Sequence, residues 1–112
     1  MMVLTSEEGD VSVGRVESKV LDAGTTAAFK EAMKPLLRDG AKVVLDLSKV
    51  EFIDSSGLGA LVSSLKAAHG VNAEIKLFGL RKPVRALFEL VRMHRVFEVF
   101  NSAEEAISSY KG

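Results

Sequence analysis

Five consecutive residues, Val43-Val44-Leu45-Asp46-Leu47, constrain the fold of this chain more than any others. The run is short, β-branched at its start and almost wholly apolar, the signature of a central strand covered on both faces. After a connector from Ser48 to Glu51, Phe52 and Ile53 are again apolar. Leu58, Leu61, Val62, Leu65 and Ala68 then recur at i, i+3, i+4, i+7 and i+10, the stripe of an amphipathic helix that His69-Gly70 closes. A strand follows over Ala73 to Phe78, and a turn at Gly79 leads to Pro83, a favourable first residue for a helix burying Val84, Leu87, Phe88 and Val91. Val96 to Phe100 reads as a short strand, and Ser102-Ala103-Glu104-Glu105 as a capping box opening a last helix that buries Ala103, Ala106, Ile107 and Tyr110. Strand and helix thus alternate from residue 42 onward, which predicts an α/β layer with parallel crossovers.

The N-terminal third is less regular. Val11, Val13, Val16 and Val20-Leu21 mark one or two strands, with Glu7 to Asp10 as a turn. Phe29, Ala32, Met33, Leu36 and Leu37 keep helical spacing up to Gly40, although Pro35 must kink or split that helix. At 112 residues and 47% hydrophobic content the chain has length for one domain, residues 1–112, with one core.

Between the central strand and its helix lies Asp54-Ser55-Ser56-Gly57-Leu58-Gly59. Asp and Ser are favoured N-caps because their side-chain oxygens accept hydrogen bonds from unpaired amides of the first turn, and Gly57 and Gly59 permit close approach of another backbone. Capping alone accounts for one such side chain. The second hydroxyl is left at the positive end of a helix dipole, a place that tolerates an added phosphate.

Other chemistries find little to stand on. A serine hydrolase needs a base for Ser55 or Ser56, and His69 lies about 20 Å down the same helix. His94 is the only other histidine, and the Gly-x-Ser-x-Gly spacing of a nucleophile elbow is missing. Neither phosphate-binding glycine motif occurs, and without cysteine or paired histidines a metal centre lacks ligands, so no enzyme activity and no cofactor are expected. Fifteen basic residues balance fifteen acidic ones, which gives no electrostatic reason to expect nucleic acid or an anionic membrane as partner. No apolar run approaches a membrane span, and the acidic N-terminus is unlike a signal peptide; a cytoplasmic protein is expected. Arg81, Lys82, Arg85, Arg92, His94 and Arg95 form a local basic face, either a solvated helix surface or a contact for an acidic partner or phosphate.

Taken together, residues Val43 to Gly59 closely resemble the core motif of the STAS family, specifically the bacterial anti-sigma factor antagonists. The resemblance extends over about residues 20 to 110. It implies a single STAS domain, a mixed β-sheet of four to five strands covered by about four α-helices. In that family the serine directly after the aspartate is phosphorylated by an anti-sigma factor that is itself a serine kinase, which implies Ser55 here. The implied mechanism is partner switching: the unphosphorylated antagonist binds the kinase and frees a sigma factor, the phosphorylated form is released, and a serine phosphatase resets it. Asp54, Ser56, Gly57 and Leu58 would then share the docking surface. Asp22 matches a family aspartate near that serine, with the N-cap of the first helix as its alternative role; the family's Gly-Glu before the Leu-Asp pair is here Lys19-Val20. The other use of such a domain is as an unphosphorylated binding subunit, on a lipid transporter or in a stress-sensing complex.

Overall fold

The structure is a computed structural model and describes residues 2–111. Strands β1 (Val3–Glu8) and β2 (Val11–Val16) form an antiparallel hairpin pairing Val3 with Val16 and Glu8 with Val11. The short β3 (Val20–Leu21) leads to α1 (Thr26–Met33). Then come β4 (Lys42–Asp46), β5 (Phe52–Ile53), α2 (Ser55–Gly70), β6 (Glu74–Phe78), α3 (Lys82–Leu90), β7 (Val99–Phe100) and α4 (Ala103–Ser108). The main sheet has the order β1-β2-β4-β6-β7, antiparallel only at its first pair. β3 and β5 form a separate parallel pair, Val20 beside Phe52 and Leu21 beside Ile53.

β4 sits in the middle of this sheet, and Val43, Val44, Leu45 and Leu47 are all fully buried. Side chains alternate across a strand. Val43 and Leu45 therefore enter the main core with Phe29 and Met33 of α1, Leu61 of α2 and Phe88 of α3, while Val44 points the other way against Val11 and Ala106 of α4. The near-continuous apolar run is what burial on both faces demands.

Three expectations are corrected. β1 runs through Glu7 and Glu8, which the sequence assigns to a turn; the turn is Gly9-Asp10 alone. Only Val3 of β1 is buried, so its ladder to β2, rather than an apolar alternation, makes it a strand. The expected strand from Val96 contracts to Val99–Phe100, because Met93–Arg95 form a 3-10 turn and Phe97 turns into the main core. Val91, expected in the buried stripe of α3, is 45% exposed because the helix ends at Leu90. Pro35 does split its helix: α1 stops at Met33 and a 3-10 turn, Lys34–Leu36, follows. Ser102 caps α4 by accepting from the Glu105 amide at 3.1 Å, but the Glu105 carboxylate takes the Ser102 hydroxyl at 3.4 Å, so the reciprocal half of the box is replaced by a side-chain contact.

α4 and the turn after it strap the back of the sheet. The Tyr110 hydroxyl donates to the Val43 carbonyl at 2.8 Å, and the Lys76 ammonium donates to Ser109 Oγ at 2.8 Å. Lys76 is a buried cation, held 4.1 Å from the centre of the Tyr110 ring and 3.7 Å from the Glu98 carboxylate. Burial, reinforced by the charge of Glu74, raises the Tyr110 phenol far above its ordinary pKa. The folded phenol therefore holds its proton more tightly than the unfolded one, and its contribution is complete below about pH 10 and lost as pH rises beyond it. Tyr110→Phe should lower stability by about 1 kcal/mol in urea titrations at neutral pH. It should also remove part of the alkaline loss of stability that the parent chain shows above about pH 10.

Candidate functional site

The β5 strand delivers the chain to Asp54 in an extended conformation (φ −102°, ψ −173°), and α2 begins at Ser55. The Asp54 carboxylate accepts from the Gly57 amide at 2.9 Å, so Asp54 is the N-cap. That single bond completes the cap. Ser55 and Ser56, the first two helical residues, are both exposed, and among the described residues neither hydroxyl has a side-chain partner.

Beneath them the helix start is pinned. A Cβ on Gly57 would collide with the Leu21 carbonyl oxygen and stand 2.9 Å from Ile53 Cγ2, so no larger residue fits. The same carbonyl accepts from the Asp54 amide at 3.2 Å. Gly57, expected on the docking face, is therefore buried against β3 and shapes the site from below. Gly59 differs, with open space where a side chain would go: among the described residues nothing beyond its own helix comes within 4 Å of that position.

Pairing of Leu21 with Ile53 brings Asp22 and Asp54, the residues following each strand, to the same end of the β3-β5 pair. Asp22 is not the N-cap of α1; Thr25 occupies that position. The Asp22 carboxylate instead accepts from the Gly24 amide at 3.0 Å and the Thr25 hydroxyl at 3.3 Å, folding the loop between β3 and α1.

An open hollow of about 500 Å³ extends from Ser55 along α2. Leu58, 8% exposed, contributes to its wall together with Gly59, Val62, Ser63 and Lys66, and Met93 closes the far side. Positions 59, 62, 63 and 66 repeat at i, i+3, i+4 and i+7, so this face was readable from helical spacing once Ser55 was placed on it. Met93 carried no such signal, because tertiary folding alone brings the 3-10 turn there. The basic face is partly consumed by structure: Arg81 donates to the Ser48 carbonyl at 2.8 Å and Arg85 to the Asn101 side chain at 3.3 Å. Neither histidine is hydrogen-bonded to Ser55 or Ser56 among the described residues; His69 lies in the last turn of α2 and His94 in the Met93–Arg95 turn.

The two glycines make a direct comparison. Gly57→Ala should destabilise by about 2 kcal/mol or more, because backbone rather than a pliable side chain stands in the way. Gly59→Ala should be neutral or stabilising by up to about 1 kcal/mol, as expected for an exposed helical glycine. Urea unfolding of both variants checks the pair, and Asp54→Ala should fall between them at about 1 kcal/mol.

Known proteins resemble this chain in sequence and fold. The family model for the STAS domain matches residues 3–106. The anti-sigma-B factor antagonist of Listeria monocytogenes is 33% identical over 82 residues, 72% of each chain. An anti-sigma factor antagonist from Mycobacterium paratuberculosis superposes with a TM-score of 0.85 at 24% identity, covering 98% of this chain and 93% of that one. The antagonist SpoIIAA in its unphosphorylated form gives 0.69 at 18% identity over 98% of each chain, and its phosphorylated form, from Bacillus, gives 0.67. At such identities the three solved structures show a shared fold. With the family model spanning nearly the whole chain, and a relative one-third identical, this chain belongs to the STAS domain family.

Proposed function

We propose that the chain is an anti-sigma factor antagonist that works by partner switching, with Ser55 as its phosphoacceptor. In the unphosphorylated state it binds an anti-sigma factor serine kinase and frees a sigma factor; the kinase phosphorylates Ser55, and a serine phosphatase restores the hydroxyl. These are encounters of the cytoplasm, and among the described residues no helix is long and apolar enough to cross a membrane.

One observation carries this reading. Ser55 is an exposed hydroxyl at the first position of a helix whose cap is already complete without it. Modification there removes no structural hydrogen bond. Phosphate adds a charge of about −1.5 to −2, and the helix dipole favours negative charge at this end by about 0.3–1 kcal/mol. The fold therefore tolerates the phosphate. A docked partner does not, because a bulky dianion beside Asp54 fills the space where a neutral hydroxyl met its surface and repels acidic groups there. Asp54, Ser56 and Leu58 border the acceptor on this surface, and Asp22 adds a second carboxylate at the same end of the β3-β5 pair. Names of the relatives support the assignment, and so does the existence of SpoIIAA in phosphorylated and unphosphorylated forms.

Incubation with ATP and the anti-sigma factor kinase should add one phosphate by intact mass, and Ser55→Ala should abolish it. Phosphorylation undiminished in that variant would overturn the choice of Ser55. Ser55→Asp should weaken binding to the kinase by about tenfold or more, with an unchanged circular dichroism spectrum and an unchanged or higher melting temperature. Unchanged affinity in Ser55→Asp would instead indicate a constitutive binding subunit.

A further inference from the structure

At the opposite end of α2 the main sheet is left incomplete. β7 pairs with β6 only through Leu77 with Val99 and Phe78 with Phe100. On its β4 side, β6 is bonded along its length: Glu74 donates to the Ala41 carbonyl at 2.9 Å and Phe78 accepts from the Leu47 amide at 3.0 Å. On its outer side Leu77 donates to the Glu98 carbonyl at 3.0 Å. Peptide groups two residues apart on a strand point the same way, so the N–H and C=O of Ile75 also face outward. Among the described residues no backbone group meets them there. Ile75 is 4% exposed, and an unpaired peptide in so buried a residue is a standing demand for a partner.

That edge opens into a hollow of about 480 Å³ whose two sides differ. Toward α2 it is apolar, with Leu65, Ala73 and Ile75, and the half-exposed Val96 also lines it. Glu74 and Glu98 lie on the other face of the sheet, the face of Lys76, as strand alternation requires. Glu74 makes no ion pair among the described residues, and Glu98 remains 66% exposed despite its contact with Lys76. Among the described residues no lysine or arginine lines the hollow, and the two carboxylates outweigh His69.

We propose that this edge of β6 docks an extended segment of a partner protein, which adds as a strand beside Ile75 in line with β7. Its apolar side chains enter the hollow toward α2 and its alternate, basic side chains meet Glu74 and Glu98. Main-chain bonds supply the attachment and the two faces supply the selection. A second copy of this chain fits poorly. Its other sheet edge, β1, brings Glu7 and Glu8, and pairing β6 with itself sets Glu74 and Glu98 against their own copies. The surface is separate from Ser55 and does not depend on its phosphorylation.

The test is an NMR titration of the isotope-labelled full chain with the blocked hexapeptide Lys-Val-Lys-Val-Lys-Val, and with its Glu-Val-Glu-Val-Glu-Val counterpart. Without peptide, the Ile75 amide should exchange with solvent faster than that of Leu77. The basic peptide should shift the Ile75, Val96 and Glu98 amides saturably and slow Ile75 exchange, and the acidic peptide should do neither. Glu74→Lys, a change at an exposed position, should weaken the basic peptide about fivefold, as expected for loss of a surface ion pair. The proposal is overturned by the absence of saturable shifts at millimolar peptide, by equal response to both peptides, by shifts centred on Leu58 and Met93, or by sedimentation showing a dimer that Glu74→Lys disrupts.

Discussion

Burial of β4 on both faces is the condition from which the rest of the architecture follows. A strand whose three aliphatic side chains, Val43, Val44 and Leu45, are fully hidden needs a layer above, a layer below and a strand along each edge. α1, α2 and α3 supply one layer, α4 the other, and β2 and β6 the edges. Parallel crossovers require a connection long enough to pass over the sheet, and each crossover here contributes a helix to the main core. The thinner layer is reinforced by polar groups: Lys76 and Tyr110 fasten the chain beyond α4 to β6 and β4 where α4 itself buries only Ala106 completely.

The candidate site inherits its order from that scaffold. Local polar groups around Ser55 are used up in holding shape: Asp54 serves the Gly57 amide, Leu21 serves the Asp54 amide, and Asp22 serves its own loop. What is left over is a pair of exposed hydroxyls, Ser55 and Ser56, the first of them bordering a hollow. Rigid support and a chemically idle group are separate properties, and here they meet within three residues.

Helices and central strands were legible because burial imposes a period on sequence. α2 begins directly after Asp54 and ends at Gly70 as its stripe and stop predict, and Pro35 interrupts the first helix where its missing amide requires. The failures occur where periodicity has no hold. β1 exposes all but one of its residues, so its identity is written in its partner rather than in itself. Val91 has an apolar side chain at the right spacing, but α3 has already ended. At the site, the cap and the spare hydroxyl were readable from Asp54-Ser55-Ser56. That Gly57 faces inward against Leu21 was not, because a glycine required by close packing and one placed in open space, as Gly59 is, look alike in sequence.

The contact between Gly57 and the Leu21 carbonyl bears on how Ser55 can be approached at all. An enzyme that draws an extended peptide through its cleft needs slack chain on both sides of the acceptor. Ser55 has none, since Asp54 is bonded to β3 on one side and Gly57 is wedged against it on the other. Whatever grips this serine must fit a finished surface and take the domain whole. An isolated peptide of the same sequence offers the letters without the shape, and a mark laid on Ser55 by a shape-reading enzyme would therefore certify that the copy bearing it had folded.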